Sequence, residues 1–223
     1  MTHPLDRPAW TALRTRQRAL AQGEGAALRY DPDYAIFAAA ADEDRPSLVA
    51  LGALIAATGA AIVLQKDPLP AVPGTQAVKH RMGVQMVAET LGEDADIDFI
   101  ELGDTDAAEM LSLATLTEPG PFFARTHRLG DFIGIRDRGR LVAMAGERMK
   151  PSGFTEVSGV CTHPDWRGRG YAGALMRVVA ARIIARGETP FLHAYADNRG
   201  AIALYESLGF RLRCAVNVTV LEG

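Results

Sequence analysis

The sequence predicts a fold of the α/β (α+β) class: a mixed, mostly antiparallel central sheet flanked by helices, behind a smaller α/β N-terminal domain. Three observations carry that expectation. From Phe99 onward, apolar periodicities follow in the order strand, helix, three strands, helix, strand, helix, strand. Breakers close these segments, with Gly139 in a turn and Gly187 and Gly209 after helical patterns. Finally, a chain of 223 residues that is 48% hydrophobic and 23% charged can bury a real core, in one large domain or two small ones.

Taken in order, Pro8 to Gln22 reads as a first helix, with proline near its start and Gly23 past its end. Strands are expected at Ala26 to Tyr30 and Tyr34 to Ala40, around the turn Asp31-Pro32-Asp33. Pro46 to Thr58 reads as a buried helix and Ala60 to Gln65 as a strand. The breaker-rich DPLPAVPG (Asp67 to Gly74) is a loop, and Val78 to Glu89 fits strand or helix. The acidic stretch Leu91 to Asp98 marks a domain boundary, dividing 1–95 from 96–223. Phe99 to Leu102 is a short strand, and Asp104 to Thr117 an amphipathic helix with acidic residues at its start. The loop EPGPFF leads to strands at Asp131 to Arg136, Arg140 to Arg148 and Thr155 to Thr162. Gly170 to Arg186 is a long helix, Phe191 to Ala196 a strand, Asn198 to Leu208 a helix, and Phe210 to Leu221 closes as a strand.

Charge and special residues exclude several classes. A net charge of −3 argues against a general binder of phosphate backbones, so no nucleic-acid partner is expected. The two cysteines, Cys161 and Cys214, have no metal spacing and no disulfide framework, and read as buried free thiols in a reducing cytoplasm. No metal site is expected. The N-terminus carries Asp6, Arg7, Arg14 and Arg16 without an apolar core, unlike a secretory signal. Leu48 to Leu64 is free of charge and approaches a membrane span in length. Its Thr58-Gly59 pair reads instead as a helix end followed by a strand, so no membrane partner is expected.

The segment VCTHPDWRGRGYA (Val160 to Ala172) carries the chemistry. A β-branched strand stops at Pro164, which cannot donate to a ladder, and a basic glycine loop opens into a helix. Gly168 and Gly170 permit a tight turn, and the first helical N–H groups with the helix dipole form an anion site beside Arg167 and Arg169. This suits a pyrophosphate; on the pattern alone, a solvated turn fits as well. No acidic residue ends a following strand as in a Rossmann unit, and Gly-Lys-Ser/Thr of a Walker loop is absent. Further on, FLHAYADNRGAIALYESLGF places Asn198 at a helix start, with Ala201, Leu204, Tyr205 and Leu208 at helical spacing.

Together these segments resemble the GNAT superfamily of acyl-CoA N-acyltransferases, and within it the FR47-like group. The phosphate-loop pattern is matched by Arg167-Gly168-Arg169-Gly170-Tyr171-Ala172, and the following motif by Asn198, Tyr205 and Leu208-Gly209-Phe210. The resemblance covers about residues 97 to 221 and implies an acyl-CoA N-acyltransferase fold. The N-terminal part would then be a partial GNAT-like half. It further implies that acetyl-CoA is the acyl donor, transferred directly to a primary amine of a small molecule or peptide. A non-catalytic CoA-binding regulatory module is the alternative, and a homodimer is compatible with either.

The resemblance also implies site roles. Backbone groups of Val160, Cys161 and Thr162 would bond the pantetheine arm, and Arg167, Gly168, Arg169, Gly170, Tyr171 and Ala172 would hold the pyrophosphate. Tyr205 would be the general acid toward the CoA thiolate, or else a core tyrosine. Asn198 would contact the cofactor, or simply cap its helix. Glu156 matches the position of a catalytic glutamate and would be the general base, or else a solvent-facing strand residue. On a regular strand it stands about 13 Å from Val160 on the same face, so a bulge or water is needed. His163 and His193 are alternative bases. Trp166 and the loop Glu118 to Phe123 are candidates to line the acceptor cleft.

Overall fold

The computed structural model describes residues 3–91 and 97–223, so the expected boundary at residue 95 lies outside the described residues. In chain order the strands are β1 (Ala21–Gln22), β2 (Ala27–Tyr30), β3 (Phe37–Ala40), β4 (Ala61–Gln65), β5 (Gln76–Val87), β6 (Ile100–Leu102), β7 (Phe132–Asp137), β8 (Arg140–Glu147), β9 (Phe154–Thr162), β10 (Thr189–Tyr195) and β11 (Arg211–Glu222). The helices are α1 (Pro8–Arg14), α2 (Arg45–Thr58), α3 (Ala107–Thr117), α4 (Tyr171–Ala185) and α5 (Arg199–Ser207). All the strands join one sheet in the order β1-β2-β3-β4-β11-β5-β10-β9-β8-β7-β6. Among the described residues only β3/β4 and β9/β10 pair in parallel, so the sheet is mixed and mostly antiparallel.

The ambiguous segment at Val78 to Glu89 is resolved by its neighbours. It lies in β5, which is antiparallel to β10 on one side and β11 on the other. Its backbone groups are satisfied by two ladders, which favours a strand whatever the local propensity. Strands from both sides of the expected boundary are therefore interleaved.

The first helix is shorter than its pattern. It stops at Arg14, where the chain turns so that Gln17 can enter the core. The Gln17 amide donates to the Arg148 carbonyl at 2.7 Å, and its oxygen accepts from the buried Tyr30 hydroxyl at 2.6 Å. Continuing the helix would break that buried set, a tertiary demand that outweighs helix periodicity.

The charge-free stretch divides as its composition suggests. α2 ends at Gly59, which has φ +87°. Small residues let α2 lie close to its surroundings, and a Cβ on Gly52 would strike the Pro73 carbonyl at 1.9 Å. No helix among the described residues is long and apolar enough to cross a membrane.

Two layers of helices cover the sheet. α2 packs Leu48, Leu51 and Ile55 on Ala38 and Val63, while α4 packs Leu175, Met176 and Val179 near Met86 and Leu192. The strand registers put those four strand residues on one face. On the opposite face α1 covers Phe37, Leu64 and Phe191, and α3 covers Met144 and Cys161. Both cysteines are free. Cys161 is buried as expected, whereas Cys214 is only half-buried, because its stretch of β11 is partly open.

Candidate active site

The site begins where two parallel strands part. β10 pairs with β9 only from Thr189↔Phe154 to Phe191↔Glu156. Beyond that point the β9 edge has no ladder partner on the β10 side. On its other edge β9 gains a residue over β8, since Gly146 pairs with Ser158 but Met144 pairs with Cys161. Gly159 lies in this bulge with φ +63°, and a Cβ there would sit 2.7 Å from the Phe132 ring. Glycine is thus required both by conformation and by space. The bulge also reverses the alternation, so Val160 packs toward α4 while Glu156 faces the α1 side. The two do not share a face, as a regular strand would have it.

After β9 the chain builds the basic glycine turn. The buried His163 stands between two donors, the Asp165 N–H 3.2 Å from Nδ1 and Arg140 2.8 Å from Nε2, and accepts from one of them in each tautomer; the Trp166 indole donates to Asp137 at 2.8 Å. These bonds anchor the base of the loop. Gly168 and Gly170 follow at φ +77° and +78°, with open space where a Cβ would be. α4 starts at Tyr171 with no side-chain cap, so its first N–H groups and the dipole point into the opening beside the exposed Arg167 and Arg169.

A buried polar row lies across the gap. Glu156 is fully buried and takes a two-pronged ion pair from Arg148, at 2.8 Å to each oxygen. His193 Nδ1 donates to the same carboxylate at 2.7 Å. The His193 Nε2 faces the Gln85 amide nitrogen at 2.9 Å, and that nitrogen also donates to the Leu5 carbonyl. Arg213 donates to the Gln85 oxygen, fixing the amide's orientation, and is itself paired with Asp6. An amide nitrogen only donates, so His193 must accept at Nε2 and carry its proton on Nδ1. Burial alone would raise the proton affinity of Glu156, but Arg148 and then His193 outweigh it and hold the carboxyl well below the usual range. Glu156 is therefore a fixed anion, neither solvent-facing nor strongly basic.

α5 closes the site. Asn198 caps it by accepting the Ala201 N–H at 3.2 Å. Tyr205 is half-buried, and burial raises its phenol above the ordinary range. Among the hydrogen bonds of the described residues, none involves its hydroxyl. The Cys161 thiol is pushed up to about 11 by burial, which keeps it protonated and non-nucleophilic near neutral pH.

One cavity of about 660 Å³ joins these parts. Its wall runs from Arg167–Ala172 and Met176 on the α4 side, through the gap between β9 and β10, to Glu156, Phe37 and Leu64 on the α1 side. The passage through the sheet lets two molecules meet from opposite faces.

Comparison with known proteins follows the same outline. The family model described as FR47-like protein matches residues 132–219. The crystal structure of an acetyltransferase of the GNAT family from Novosphingobium aromaticivorans DSM 12444 is 45% identical, with a TM-score of 0.90 and coverage of 99% of both chains. The chain belongs to the GNAT family of N-acetyltransferases. A GCN5-related N-acetyltransferase from Kribbella flavida shares the fold at 19% identity, with a TM-score of 0.68 over 100% of this chain and 96% of the other. The N-alpha-acetyltransferase RimI of Mycobacterium tuberculosis (strain ATCC 25618 / H37Rv) is 36% identical over 84 residues, which is 36% of this chain and 51% of RimI. That match spans about half the relative's length.

Every residue expected at the GNAT site lies on the wall of this cavity: Glu156, Tyr205, Val160, Cys161, Thr162, the loop Arg167 to Ala172, and Asn198. His193 and Trp166 lie there too, whereas His163 is turned toward Arg140 and away from the cavity. The Glu118 loop divides: Glu118 to Pro121 reach the wall, while Phe122 packs edge-on against Phe132, 5.8 Å between ring centres. Sequence reasoning missed Arg148, Gln85 and the apolar wall supplied by β3, β4 and β11.

Proposed function

We propose that this GNAT chain transfers an acetyl group from acetyl-CoA directly to a primary amine of a small molecule or peptide. The observation that carries the reading is the single cavity linking the uncapped start of α4 to the Glu156–His193 pair through the gap in the sheet. The residues present fit the donor: a turn with two left-handed glycines, open space at their Cβ positions and flanking arginines suits a diphosphate. The unpaired β9 edge from Val160 to Thr162 suits an amide-bearing arm, which can add to it as a strand does. The thioester supplies an activated acetyl group when bound.

The chain's own groups then divide the proton traffic. Tyr205, kept protonated by burial, donates its hydroxyl proton to the departing sulfur. As the expected general base, Glu156 would take the amine's proton directly or through water. With Arg148 locked on its two oxygens it is a poor proton acceptor, so in this proposal it fixes the His193 ring. The amine reacts as its free base, and the proton it sheds passes through cleft water to the phenolate that Tyr205 leaves. A backbone N–H near Val160 polarises the acyl carbonyl. Cys161 stays out of the chemistry.

The test is release of CoA thiol from acetyl-CoA with amines, polyamines, amino acids and peptides as acceptors. Turnover of at least one amine is expected. Tight CoA binding without any turnover would instead favour a non-catalytic module, and absence of CoA binding would remove both readings.

A further inference from the structure

The cavity wall opposite the phosphate loop has its own chemistry. Phe37, Ile62, Leu64, Val216 and Val218 all border it. The register pairs Phe37 with Ile62 and Leu64 with Val218, so these side chains stand on one face and form a continuous apolar strip. Leu13 of α1 and Leu5, just before it, pack with Phe37, Leu64 and Phe191, and the strip ends under that helix. The strip is continuous with Glu156 and His193, where the acyl group would be received.

The charged groups beside the strip are already paired, whereas Glu118, which also lines the cavity, has no ion pair among the described residues. Arg148 is held by Glu156 and Arg213 by Asp6. Arg81 is held by both oxygens of Asp197 while its guanidinium lies 3.6 Å over the Tyr195 ring. A ligand carboxylate entering here would have to displace an existing partner. Glu156 is likewise neutralised, so a second ammonium group on the acceptor gains little from it.

Resting on the acetyltransferase reading, we infer that this strip is the acceptor subsite and takes a small primary amine carried on an uncharged apolar body, with no carboxylate beside the amine. An arylalkylamine fits that chemistry. The apolar body lies against Ile62, Leu64 and Val218, and its amine reaches the gap beside His193.

The test uses the full chain and acetyl-CoA, with 2-phenylethylamine, hexylamine, phenylalanine, putrescine and a phenylalanyl tripeptide amide as acceptors. Expected is a kcat/KM at least about tenfold higher for 2-phenylethylamine than for phenylalanine or putrescine. Val218→Thr, which preserves shape, and Ile62→Thr should each raise the KM for 2-phenylethylamine about fivefold. Neither should change kcat or the KM for acetyl-CoA. Should a variant fail to fold, as seen by circular dichroism, the wild-type panel decides alone. Equal turnover of phenylalanine or putrescine overturns the inference, as does a preference for the tripeptide. So does a result in which the variants raise the KM for hexanoyl-CoA and leave the amine's KM alone, since the strip would then hold an acyl chain. Calorimetry with CoA separates the two levels: no CoA binding removes the acetyltransferase reading itself, whereas binding and turnover without this selectivity removes only the acceptor class.

Discussion

The two ends of the cavity are made of different materials. At the α4 end the ligand-facing surface is mainly backbone, namely two glycines at φ +77° and +78° and the open first turn of a helix. At the Glu156 end it is side chains in a fully occupied hydrogen-bond row, drawn from β5, β9, β10 and β11, from Arg148 just past β8, and from the segment before α1. A backbone-built end tolerates most side-chain changes as long as the torsion angles remain accessible. A saturated polar row tolerates almost none, since each deletion leaves a buried partner stranded.

Arg148→Met is the most severe way to break the second end, because it strands a buried carboxylate. It should cost about 3–5 kcal/mol and lower the melting temperature by roughly 10 °C. The matched change at the exposed end, Arg169→Met, should move stability by less than about 0.5 kcal/mol. Similar melting shifts for the two would erase the contrast. Next in size, Tyr205→Phe should lower kcat about a hundredfold and leave CoA affinity within about twofold, as measured by turnover and calorimetry. Unchanged turnover would take Tyr205 out of the mechanism.

Gly170→Val probes the backbone end. A branched residue at φ +78° is strained by sterics, and CoA affinity should weaken about tenfold with a smaller loss of stability. The mildest test is pH. The folded-state carboxyl of Glu156 lies below its unfolded value near 4.3, so its contribution is fully present above that pH. It is lost as pH falls through the lower folded value. Melting temperatures between pH 7 and pH 3 should therefore fall with acid in the wild type, and more shallowly in Glu156→Gln.

The same division explains what was legible in the sequence. The phosphate loop and the Asn198–Phe210 helix could be read because each is a local matter, a breaker or a cap within a few residues of the helix it starts. The helices and strands of the second half follow for the same reason. Arg148 and Gln85 could not be assigned, because their roles depend on partners that only the sheet brings together. Gln85 meets His193 on the neighbouring β10, and Arg213 reaches Gln85 from β11 on its other side. Gln17 shows the same limit from the other direction: its distant contacts cut short a helix that local periodicity extended. The Gly159 bulge was visible only as a requirement, since parity along a strand says that a bulge is needed but not where it falls.

The position of β5 has a consequence in time. It is synthesised about a hundred residues before β10 and earlier still than β11, yet it lies between them. As the chain emerges from the ribosome, β5 waits without either neighbour, and Gln85 waits with it for His193 and Arg213. The row beside the reacting gap closes only when the last strand arrives. Nascent chains ending before Arg211 should accordingly lack the closed Gln85–His193–Arg213 row even with the entire glycine loop made, which ties its assembly to the synthesis of β11.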